Sequence, residues 1–591
     1  MSRNPRTVRG LRGVLLHSRL FMAQSLLLFA QSNTSGCCKM CRKNKSRKGT
    51  QRNDGVRYSP MQQKESWTSQ LGVILAVVGS AVGLGNYLRF PGQMALYGGV
   101  AFMIPYFVAL LLLGLPLAWA EWALGRYGGV RGHNSAPGIF RSVVKRRRVM
   151  YIGSIFVMMP VAIFSFYIIV EGWCLLYAVQ YARGLMNLGS QKAYGECFAH
   201  LIGMSENGAV LKTALIHPTL LCIFLCFLLN FWLIYRGISK GIEWFCSLAL
   251  PALVLCSAII FVRVATLGNP TGVSGQSFLD GIRFICSTTG SDKTIFQHLG
   301  NPECWLAAAG QVFFSLSVGF GLVLTYASYL KHDDDVAASC LVAVGSNSFI
   351  EIVFGGMMIV PAAFMFLGQA AINKENLGSS FTLGFQTLPS VFDQMPFGQF
   401  FGFLFFALLL LAAATSSISM LQPAITLLED GLGLKRKGSV LLLGGLLFVA
   451  TLFVLYFSKG LVAMDTFDFW IASFFVLIGA TFIIVLFSRV LGIDTGMAEL
   501  ERGAQIRIPW FVRYLIEYVS PLFLVIVLVA WCWLKLPDRI EEIRSNTTVQ
   551  LSISVLVLLE LFFLRVVSRA VKRWDAEEKV NTESATQRSA S

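Results

Sequence analysis

Residues 79–86 read GSAVGLGN and interrupt one long apolar run, and residues 313–321, FFSLSVGFG, interrupt a second run in the same way. Glycine weakens a helix, and a break inside hydrocarbon frees backbone N–H and C=O groups that lipid cannot satisfy. The breaks lie in the first and sixth apolar runs, at the start of two five-helix halves. This pattern predicts a transporter with inverted repeats whose site lies between discontinuous helices. Close glycine packing of ordinary helices is the alternative.

Composition indicates a membrane protein rather than a soluble enzyme. Of the 591 residues, 55% are hydrophobic and 14% are charged, whereas soluble domains carry about 25% charged residues. Apolar runs long enough to span a bilayer recur about twelve times, at residues 71–90, 99–124, 150–182, 216–235, 243–266, 304–330, 338–369, 398–427, 439–458, 467–491, 514–535 and 549–568. An even number of spans places both termini on one side.

The net charge of +17 comes from basic clusters between the apolar runs. This distribution favours positive-inside topology over a nucleic-acid surface, so the lipid bilayer is expected as a partner and nucleic acid is not. Residues 125–149, 435–437 and 569–573 fall on one side of the alternating count and are expected to be cytoplasmic, with both termini. The longer connections near 184–215, 267–302 and 370–397 are expected to be external covers with short helical pieces.

The chain is expected to divide into three parts. Residues 1–66 form a basic tail that is expected to be disordered. The alternative is that Met61 is the true start of the protein. Residues 67–570 form the transporter domain, with inverted repeats at about 67–266 and 303–491, and residues 571–591 form a cytoplasmic C-terminal tail.

Residues 80–91, SAVGLGNYLRFP, resemble the first-helix signature of the neurotransmitter:sodium symporter family. The sequence is most similar to the bacterial amino-acid branch, typified by the bacterial leucine transporter, through GGVAFMIPY at 98–106, EWALGRYGG at 121–129, RGISKG at 236–241, TYASY at 325–329 and TSSI at 415–418. The resemblance implies an all-α polytopic membrane protein with about twelve transmembrane helices, a 5+5 inverted repeat and broken helices 1 and 6.

The same resemblance implies a symporter that takes up a small-molecule amino acid by alternating access, in a bacterial-type inner membrane. It implies two sodium ions and no organic cofactor, and it leaves homodimer formation open. The first sodium site would use the carbonyl of Ala81, the side chains of Asn86, Ser315 and Asn347, and the substrate carboxylate. Sharing that carboxylate would make sodium and substrate raise each other's affinity.

The second sodium site would use the carbonyls of Gly79, Val82 and Ala412 with the hydroxyls of Thr415 and Ser416. Hydrogen bonding of those hydroxyls within their own helix is the alternative, because it is common for Ser and Thr in membrane helices.

The substrate carboxylate would meet the amides near Leu84 and Gly85 and the hydroxyl of Tyr167, by the same resemblance. The ammonium group would meet the carbonyls of Ala81 and Phe314 and the hydroxyl of Ser317. Side-chain selection would fall to a mainly apolar set, which favours hydrophobic or aromatic amino acids: Ser80, Ile163, Phe314, Phe320, Ser417 and Met420. Gly83 occupies the position at which monoamine-transporting members carry aspartate, so an amino acid is expected over a monoamine.

Glu351 takes the place of a chloride ligand. Chloride-dependent relatives bind the ion with a tyrosine, a glutamine and serines, and the matching positions are Tyr106, Gln311, Ser315 and Glu351. We therefore expect chloride-independent transport, and we hypothesise that Glu351 takes up a proton on the return step because an empty sodium site leaves its charge uncompensated. A static ion-pair residue is the alternative.

Two gates are expected from pairs of opposite charge. Arg89 and Asp468 would close over the substrate on the outside, above Tyr167 and Phe320; a snorkelling Arg89 is the alternative. On the inside, Lys64 would pair with Asp430 near Trp67, Ser328 and Tyr329. Lys64 replaces the family's usual arginine and lacks its bidentate geometry, so the inner gate is expected to be weaker.

Other functions have less support in the sequence. Residues 237–241 match the G-x-S-x-G pattern of hydrolases, but they lie in a basic loop between spans, and the chain has 6 histidines and no H-E-x-x-H motif. Since that pattern requires a strand-to-helix elbow with histidine and acidic partners, an enzyme is not expected. A sensor that binds an amino acid without moving it, or a channel of the same fold, would use the same residues and stays open.

Overall fold

The structure is a computed structural model that describes residues 65–212, 217–287, 294–369, 372 and 379–590. The basic tail up to Lys64 therefore lies outside the described residues. Ten helices in the described part are long and apolar enough to cross a membrane, namely Val100–Val130, Arg147–Ala182, Pro218–Tyr235, Ile238–Thr266, Val336–Leu367, Gly398–Leu432, Arg436–Tyr456, Lys459–Val490, Phe511–Ser545 and Thr547–Val580. In chain order these are spans 2 to 5 and 7 to 12.

Spans 1 and 6 complete the set of twelve, and both are broken. Span 1 consists of Gln70–Ala81 and Gly85–Leu96, which meet at an angle of 46°. Span 6 consists of Pro302–Leu316 and Leu322–Ala327, and each half is too short to cross a membrane alone. The prediction of glycine breaks in these two spans is confirmed.

Backbone geometry explains why glycine is needed in the second break. Ser317, Gly319 and Gly321 have positive φ values of 54°, 83° and 82°, a conformation that glycine adopts without steric cost. A Cβ atom on Gly321 would lie 2.7 Å from the carbonyl oxygen of Phe156 in span 3. The break therefore allows a close approach to span 3 that a larger residue would prevent.

Spans 3 and 8 form the most extensive contact between any two helices of the described fold. Span 8 also packs on span 1, and span 7 packs on the second half of span 1 through a π-helical turn, Ile350–Gly356. A Cβ atom on Gly355 would lie 2.1 Å from the carbonyl oxygen of Asn86. Such turns are frequent at functional sites, and this one brings Glu351 toward the break of span 1.

Short helices cover the connections that were predicted to be external. They comprise Gln191–Ile202, Ala209–Lys212, Phe278–Cys286, Ile295–Leu299 and Leu388–Gln394, which confirms the prediction of short helical pieces. The tenth span begins at Lys459. Asp468 therefore lies inside this helix, whereas the apolar run in the sequence had suggested a start near residue 467.

A buried ion pair joins the end of span 2 to the helix Ile493–Glu501, which follows span 10. Arg126 of span 2 donates from Nε to Glu499 at 2.9 Å, and the two side chains are 0% and 4% exposed. Arg126 also donates to the carbonyl oxygen of Arg502 at 3.0 Å. The guanidinium group thereby fixes the segment that follows span 10 against span 2.

The final helix extends beyond span 12 to Ala590 and contacts the basic loop between spans 2 and 3. Arg141 of that loop pairs with Asp575 at 2.6 Å and with Glu578 at 2.7 Å. The indole of Trp574 donates to the carbonyl oxygen of Asp430 at 3.3 Å. The final helix therefore contacts both the loop between spans 2 and 3 and the end of span 8.

Candidate functional site

The carbonyl oxygen of Ser80 connects the two helix breaks. It lies at the end of the first half of span 1, where a helix leaves carbonyl groups without intrahelical partners. The hydroxyl of Ser317 in the span 6 break donates to it at 3.0 Å, and the hydroxyl of Ser416 in span 8 donates to it at 3.2 Å. The breaks and span 8 thus converge on one buried polar point.

Side chains satisfy backbone amides freed by the breaks. The Oδ1 atom of Asn86 accepts from the amide of Gly83 at 3.0 Å, and the hydroxyl oxygen of Tyr167 accepts from the amide of Leu84 at 3.4 Å. In span 6, the amide of Gly319 donates to Glu121 at 2.8 Å. The prediction assigned no role to Glu121, although a carboxyl group inside a long apolar run is a signal that could have found it.

The side chains predicted for the first sodium site are adjacent. The Nδ2 atom of Asn86 donates to Oδ1 of Asn347 at 2.9 Å, and Nδ2 of Asn347 donates to the hydroxyl oxygen of Ser315 at 3.2 Å. All three residues are fully or almost fully buried, as is Ala81 at the end of the first half-helix. Neutral amide and hydroxyl oxygens of this kind can replace the hydration of a cation without adding a buried charge.

The residues predicted for the second sodium site also lie together. A Cβ atom on Gly79 would lie 3.4 Å from Cβ of Thr415, so span 1 and span 8 touch at this level. Val82 has an extended backbone, with φ −76° and ψ 92°, directly after the first half-helix. The hydroxyl oxygens of Thr415 and Ser416 lie 3.1 and 3.0 Å from the carbonyl oxygen of Ala412. The single hydroxyl hydrogen of Ser416 can serve either this intrahelical contact, the alternative for these residues, or the contact with Ser80 in span 1.

Glu351 lies among all three residues that the chloride comparison named. Tyr106 and Gln311 each donate to one carboxylate oxygen at 2.5 Å, and the hydroxyl of Ser315 lies 3.3 Å from Oε2. Since Ser315 also contacts Asn347, the carboxyl group is one side chain away from the predicted first sodium site. A fixed negative charge at this distance would partly compensate the charge of a bound cation.

Most residues predicted to select the substrate side chain are buried around the breaks. A Cβ atom on Gly85 would lie 2.6 Å from the ring of Phe314. The hydroxyl of Ser80 donates to the hydroxyl of Ser419 at 2.8 Å, a neighbour that the prediction missed although it lies three residues after Ser416 on the same face of span 8. Three further predicted members are also buried, namely Ile163, Phe320 and Met420.

Ser417 does not join this group, and its predicted place in the pocket is corrected. Its hydroxyl oxygen lies 2.6 Å from Oε2 of Glu171 in span 3 and 2.8 Å from Oδ1 of Asn230 in span 4. Successive residues of a helix are rotated by about 100°, so Ser416 and Ser417 cannot face the same neighbour.

The residues of the predicted outer gate are not paired in this structure. The guanidinium group of Arg89 lies 5.1 Å from the centre of the Phe314 ring, and no ion pair within 4.0 Å joins Arg89 to Asp468. Arg89 is held near the break by an aromatic ring, since a cation is attracted to the face of the ring.

The inner gate is described only in part, because Lys64 lies outside the described residues. Trp67 donates from its indole to the carbonyl oxygen of Tyr326 at 3.0 Å. Asp430 accepts from the amides of Asn134 and Ser135 at 2.9 and 3.3 Å, contacts that the prediction did not include. The predicted neighbours Trp67, Ser328 and Tyr329 are all buried, so the helix ends are closely packed at this level.

The sequence is also similar to a known protein family. The sequence matches the sodium:neurotransmitter symporter family over residues 64–186 and 202–568. The chain belongs to this family. The match includes both broken spans and span 8, the elements that converge on Ser80. Family membership makes the chain a transporter rather than an enzyme, as predicted.

Two relatives are similar to this chain over most of their length. The uncharacterized sodium-dependent transporter YhdH of Bacillus subtilis is 30% identical over 477 residues, covering 79% of this chain and 97% of the relative. An uncharacterized sodium-dependent transporter of Methanocaldococcus jannaschii is 28% identical over 473 residues, covering 79% and 90%. Both relatives are named as sodium-dependent transporters.

A solved structure, MhsT in complex with L-phenylalanine, has a similar fold. The TM-score is 0.66 at 27% identity, and the alignment covers 79% of this chain and 99% of MhsT. The predicted fold class, an all-α integral membrane protein of the leucine-transporter type with broken helices 1 and 6, is confirmed.

Proposed function

We propose that this chain is a sodium-coupled symporter that takes up a hydrophobic or aromatic amino acid by alternating access. The observation that carries the proposal is the meeting of both helix breaks at the Ser80 carbonyl, next to the linked side chains of Asn86, Asn347 and Ser315. Polar atoms gathered at the broken ends of two membrane helices can bind a cation and a zwitterion, because the surrounding lipid offers no competing water.

The proposed ammonium and carboxylate positions lie on opposite sides of the break in span 1. Carbonyl oxygens at the end of the first half-helix attract a positive group, whereas the amides that begin the second half attract a negative group. An amino acid placed between them would contribute its carboxylate to the first sodium site. Coupling then follows, because the ion and the substrate each improve the site for the other.

Amino-acid specificity is supported by Gly83 and by the surrounding apolar side chains. A Cβ atom on Gly83 would lie 2.8 Å from Oγ of Ser416 and 3.1 Å from the hydroxyl of Tyr167, so the position has no room for a carboxylate that would bind a bare amine. The structurally similar MhsT was solved in complex with L-phenylalanine, which makes phenylalanine the first substrate to test.

Chloride independence and proton exchange are proposed for Glu351. Its contacts with Tyr106, Gln311 and Ser315 place a fixed carboxyl group where related proteins are expected to hold the anion. When sodium leaves, a proton on Glu351 would replace the lost positive charge, since an uncompensated charge inside a membrane is costly.

The proposed location is a bacterial-type plasma membrane with both termini in the cytoplasm. Trp67 lies near the start of the membrane domain, and its indole donates to the carbonyl oxygen of Tyr326. Trp574 lies near the end of the domain, and its indole donates to the carbonyl oxygen of Asp430. The basic loop that contains Arg141 contacts the same final helix as Asp430. Positive-inside topology supports the cytoplasm as the compartment at this end.

The test is uptake of labelled phenylalanine into proteoliposomes under an inward sodium gradient. We expect accumulation above the external concentration that collapses when sodium is replaced by choline. Asn347→Ala should raise the sodium concentration needed for half-maximal uptake, while Asn269→Ala, at an exposed loop amide, should leave it unchanged.

The same experiment separates the alternatives of the same fold. A channel would equilibrate the substrate without accumulation, and a sensor would bind it without translocation. Either result, for every amino acid that binds the purified protein, would contradict the proposal. Binding is measured independently from the rise in unfolding temperature with ligand, with and without sodium.

A further inference from the structure

Glu171 is a fully buried carboxyl group that the proposed sodium and substrate sites do not use. It lies in span 3, one helical turn after Tyr167. Its Oε2 atom is 2.6 Å from the hydroxyl of Ser417 in span 8, and its Oε1 atom is 3.0 Å from Nδ2 of Asn230 in span 4. Ser417 and Asn230 also contact each other, with 2.8 Å between Oγ and Oδ1. The three side chains form a closed ring.

Counting hydrogen atoms shows that an ionised Glu171 leaves the ring one hydrogen short. Asn230 contributes one Nδ2 hydrogen to Glu171, since its other hydrogen points to the carbonyl oxygen of Cys226 at 2.9 Å. Ser417 has a single hydroxyl hydrogen, which can serve only one of its contacts with Glu171, with Asn230 and with the carbonyl oxygen of Ala414 at 3.1 Å. With a carboxylate, two oxygen atoms would face each other at hydrogen-bond distance without a hydrogen between them.

A proton on Oε2 of Glu171 removes this deficit. The acid then donates to Oγ of Ser417, Ser417 donates to Oδ1 of Asn230, and Asn230 donates to Oε1 of Glu171. Each of the three contacts has one hydrogen, and each side chain both donates and accepts.

Exchanging the oxygen and nitrogen of the Asn230 amide, an assignment that is made from the hydrogen-bond network, does not alter the conclusion. Oδ1 would then lie 3.0 Å from Oε1 of Glu171, and these two oxygen atoms would again need a hydrogen between them. The exchanged Oδ1 of Asn230 would also lie 2.9 Å from the carbonyl oxygen of Cys226, and both of these oxygen atoms are acceptors. Both orientations therefore require the acid proton.

The surroundings offer no cation that could compensate a carboxylate. No Lys, Arg or His of the described residues lies within 4.0 Å of Glu171. The other titratable groups that face it are Tyr167 and Cys174 of span 3 and Cys226 of span 4, while span 8 contributes Ser417. A Cβ atom on Gly172 would lie 2.4 Å from Cγ1 of Ile223, so spans 3 and 4 are in tight contact beside the ring.

We propose that Glu171 is a proton-binding site, occupied in this conformation by a proton that closes the ring of Glu171, Ser417 and Asn230. The site is separate from the one proposed at Glu351 and does not rest on the transport proposal. The protonated ring links spans 3, 4 and 8 through hydrogen bonds. These spans also carry Tyr167, one turn before Glu171, and Ser416, directly before Ser417, so the ring lies next to the second proposed sodium site. Glu171 is thus a positioning residue.

Infrared difference spectroscopy on the purified full chain tests the proton directly. A neutral carboxylic acid has a C=O absorption that a carboxylate lacks and that shifts in D2O. At neutral pH we expect one such band to be missing from Glu171→Gln. It should persist in the matched control Glu541→Gln, because Glu541 is an exposed carboxyl outside the ring. Identical spectra of wild type and Glu171→Gln in this region would overturn the proposal.

A second pair of variants keeps the test decisive if Glu171→Gln does not fold. Ser417→Ala removes the group that accepts the acid's hydrogen bond, so the band should move to higher frequency, whereas Ser417→Thr keeps the hydroxyl and should leave the band in place. An unchanged band in Ser417→Ala would contradict the ring. The absence of the band from the wild type would show that Glu171 is ionised and would likewise overturn the proposal.

Discussion

The hydroxyl of Ser317 donates a 3.0 Å hydrogen bond to the carbonyl oxygen of Ser80, joining the two broken spans directly. Ser317 holds a positive φ of 54°, which is uncommon for a residue with a side chain and costs of order 1–3 kcal/mol. The strained backbone directs a hydroxyl to a carbonyl at the end of the first half-helix of span 1. The two breaks are therefore mutually dependent.

Ser317→Ala should weaken substrate binding by up to about tenfold, because the Ser80 carbonyl would lose the nearer of its two hydroxyl contacts and a hydrogen bond contributes about 0.5–1.5 kcal/mol. The measurement is the ligand concentration that half-saturates thermal stabilisation in the presence of sodium. Ser545→Ala, which removes an exposed intrahelical hydroxyl, is the control. Unchanged affinity in Ser317→Ala would show that the contact does not shape the site.

Ser419→Ala and Ser417→Ala should behave differently, although the residues are neighbours in sequence. Ser419 contacts Ser80 in the proposed pocket, whereas Ser417 contacts Glu171. Ser419→Ala should change the order in which amino acids compete for uptake, and Ser417→Ala should preserve it. Competition with a panel of unlabelled amino acids measures this. The reverse pattern would restore Ser417 to the pocket.

Gly83→Ala should abolish sodium-coupled uptake. The new methyl group would lie 2.8 Å from Oγ of Ser416, so the hydroxyl would have to leave its position beside span 1. Gly345→Ala in span 7 is the matched control, because a Cβ atom there meets nothing within 4 Å. Both are scored by initial uptake rate at equal amounts of folded protein, and normal uptake by Gly83→Ala would contradict the proposed second sodium site.

Glu351→Ser should make uptake dependent on chloride, because removal of the fixed carboxyl leaves Tyr106, Gln311 and Ser315 free to bind an anion. Uptake is compared in chloride and in gluconate at constant sodium. The wild type should be indifferent to the exchange. If the variant is active and equally indifferent, Glu351 does not substitute for chloride.

Arg126→Ala should lower the free energy of unfolding by about 1.5–3 kcal/mol, the usual contribution of a hydrogen bond to a charged group, because Glu499 would lose its buried partner and keep only the pair with Arg502 at 2.9 Å. Thermal unfolding in detergent gives the comparison. Lys192→Ala is the control, since its pair with Glu196 is 4.0 Å long and both side chains are largely exposed. A loss no larger than that of the control would show that water reaches Glu499.

The helix breaks could be predicted from sequence because glycine weakens a helix and the freed backbone groups require polar partners inside a membrane. The cluster around Glu351 was also predictable from positions in matched motifs. The face of span 8 was harder to predict, since three consecutive hydroxyl residues, 415–417, offer no sign of which one points to span 1. Ser419 follows from Ser416 only when that direction is known.

The gates depend on more than residue identity. Arg89 and Asp468 carry complementary charges, but their separation depends on the conformation of the transporter, and in this structure Arg89 contacts Phe314 instead. The amide partners of Asp430 arise from the fold of the loop between spans 2 and 3. Sequence patterns contain neither kind of information.

Contacts of the final helix have a practical consequence for measurements of sodium dependence. The pairs of Arg147 with Asp575 and of Arg141 with Glu578 have partly exposed acidic partners, and salt screens exposed charges over about 10 Å at 0.1 M ionic strength. Adding sodium chloride would therefore loosen this helix from its loop while also supplying the coupled ion. Titrations at constant ionic strength, with choline replacing sodium, separate the two effects.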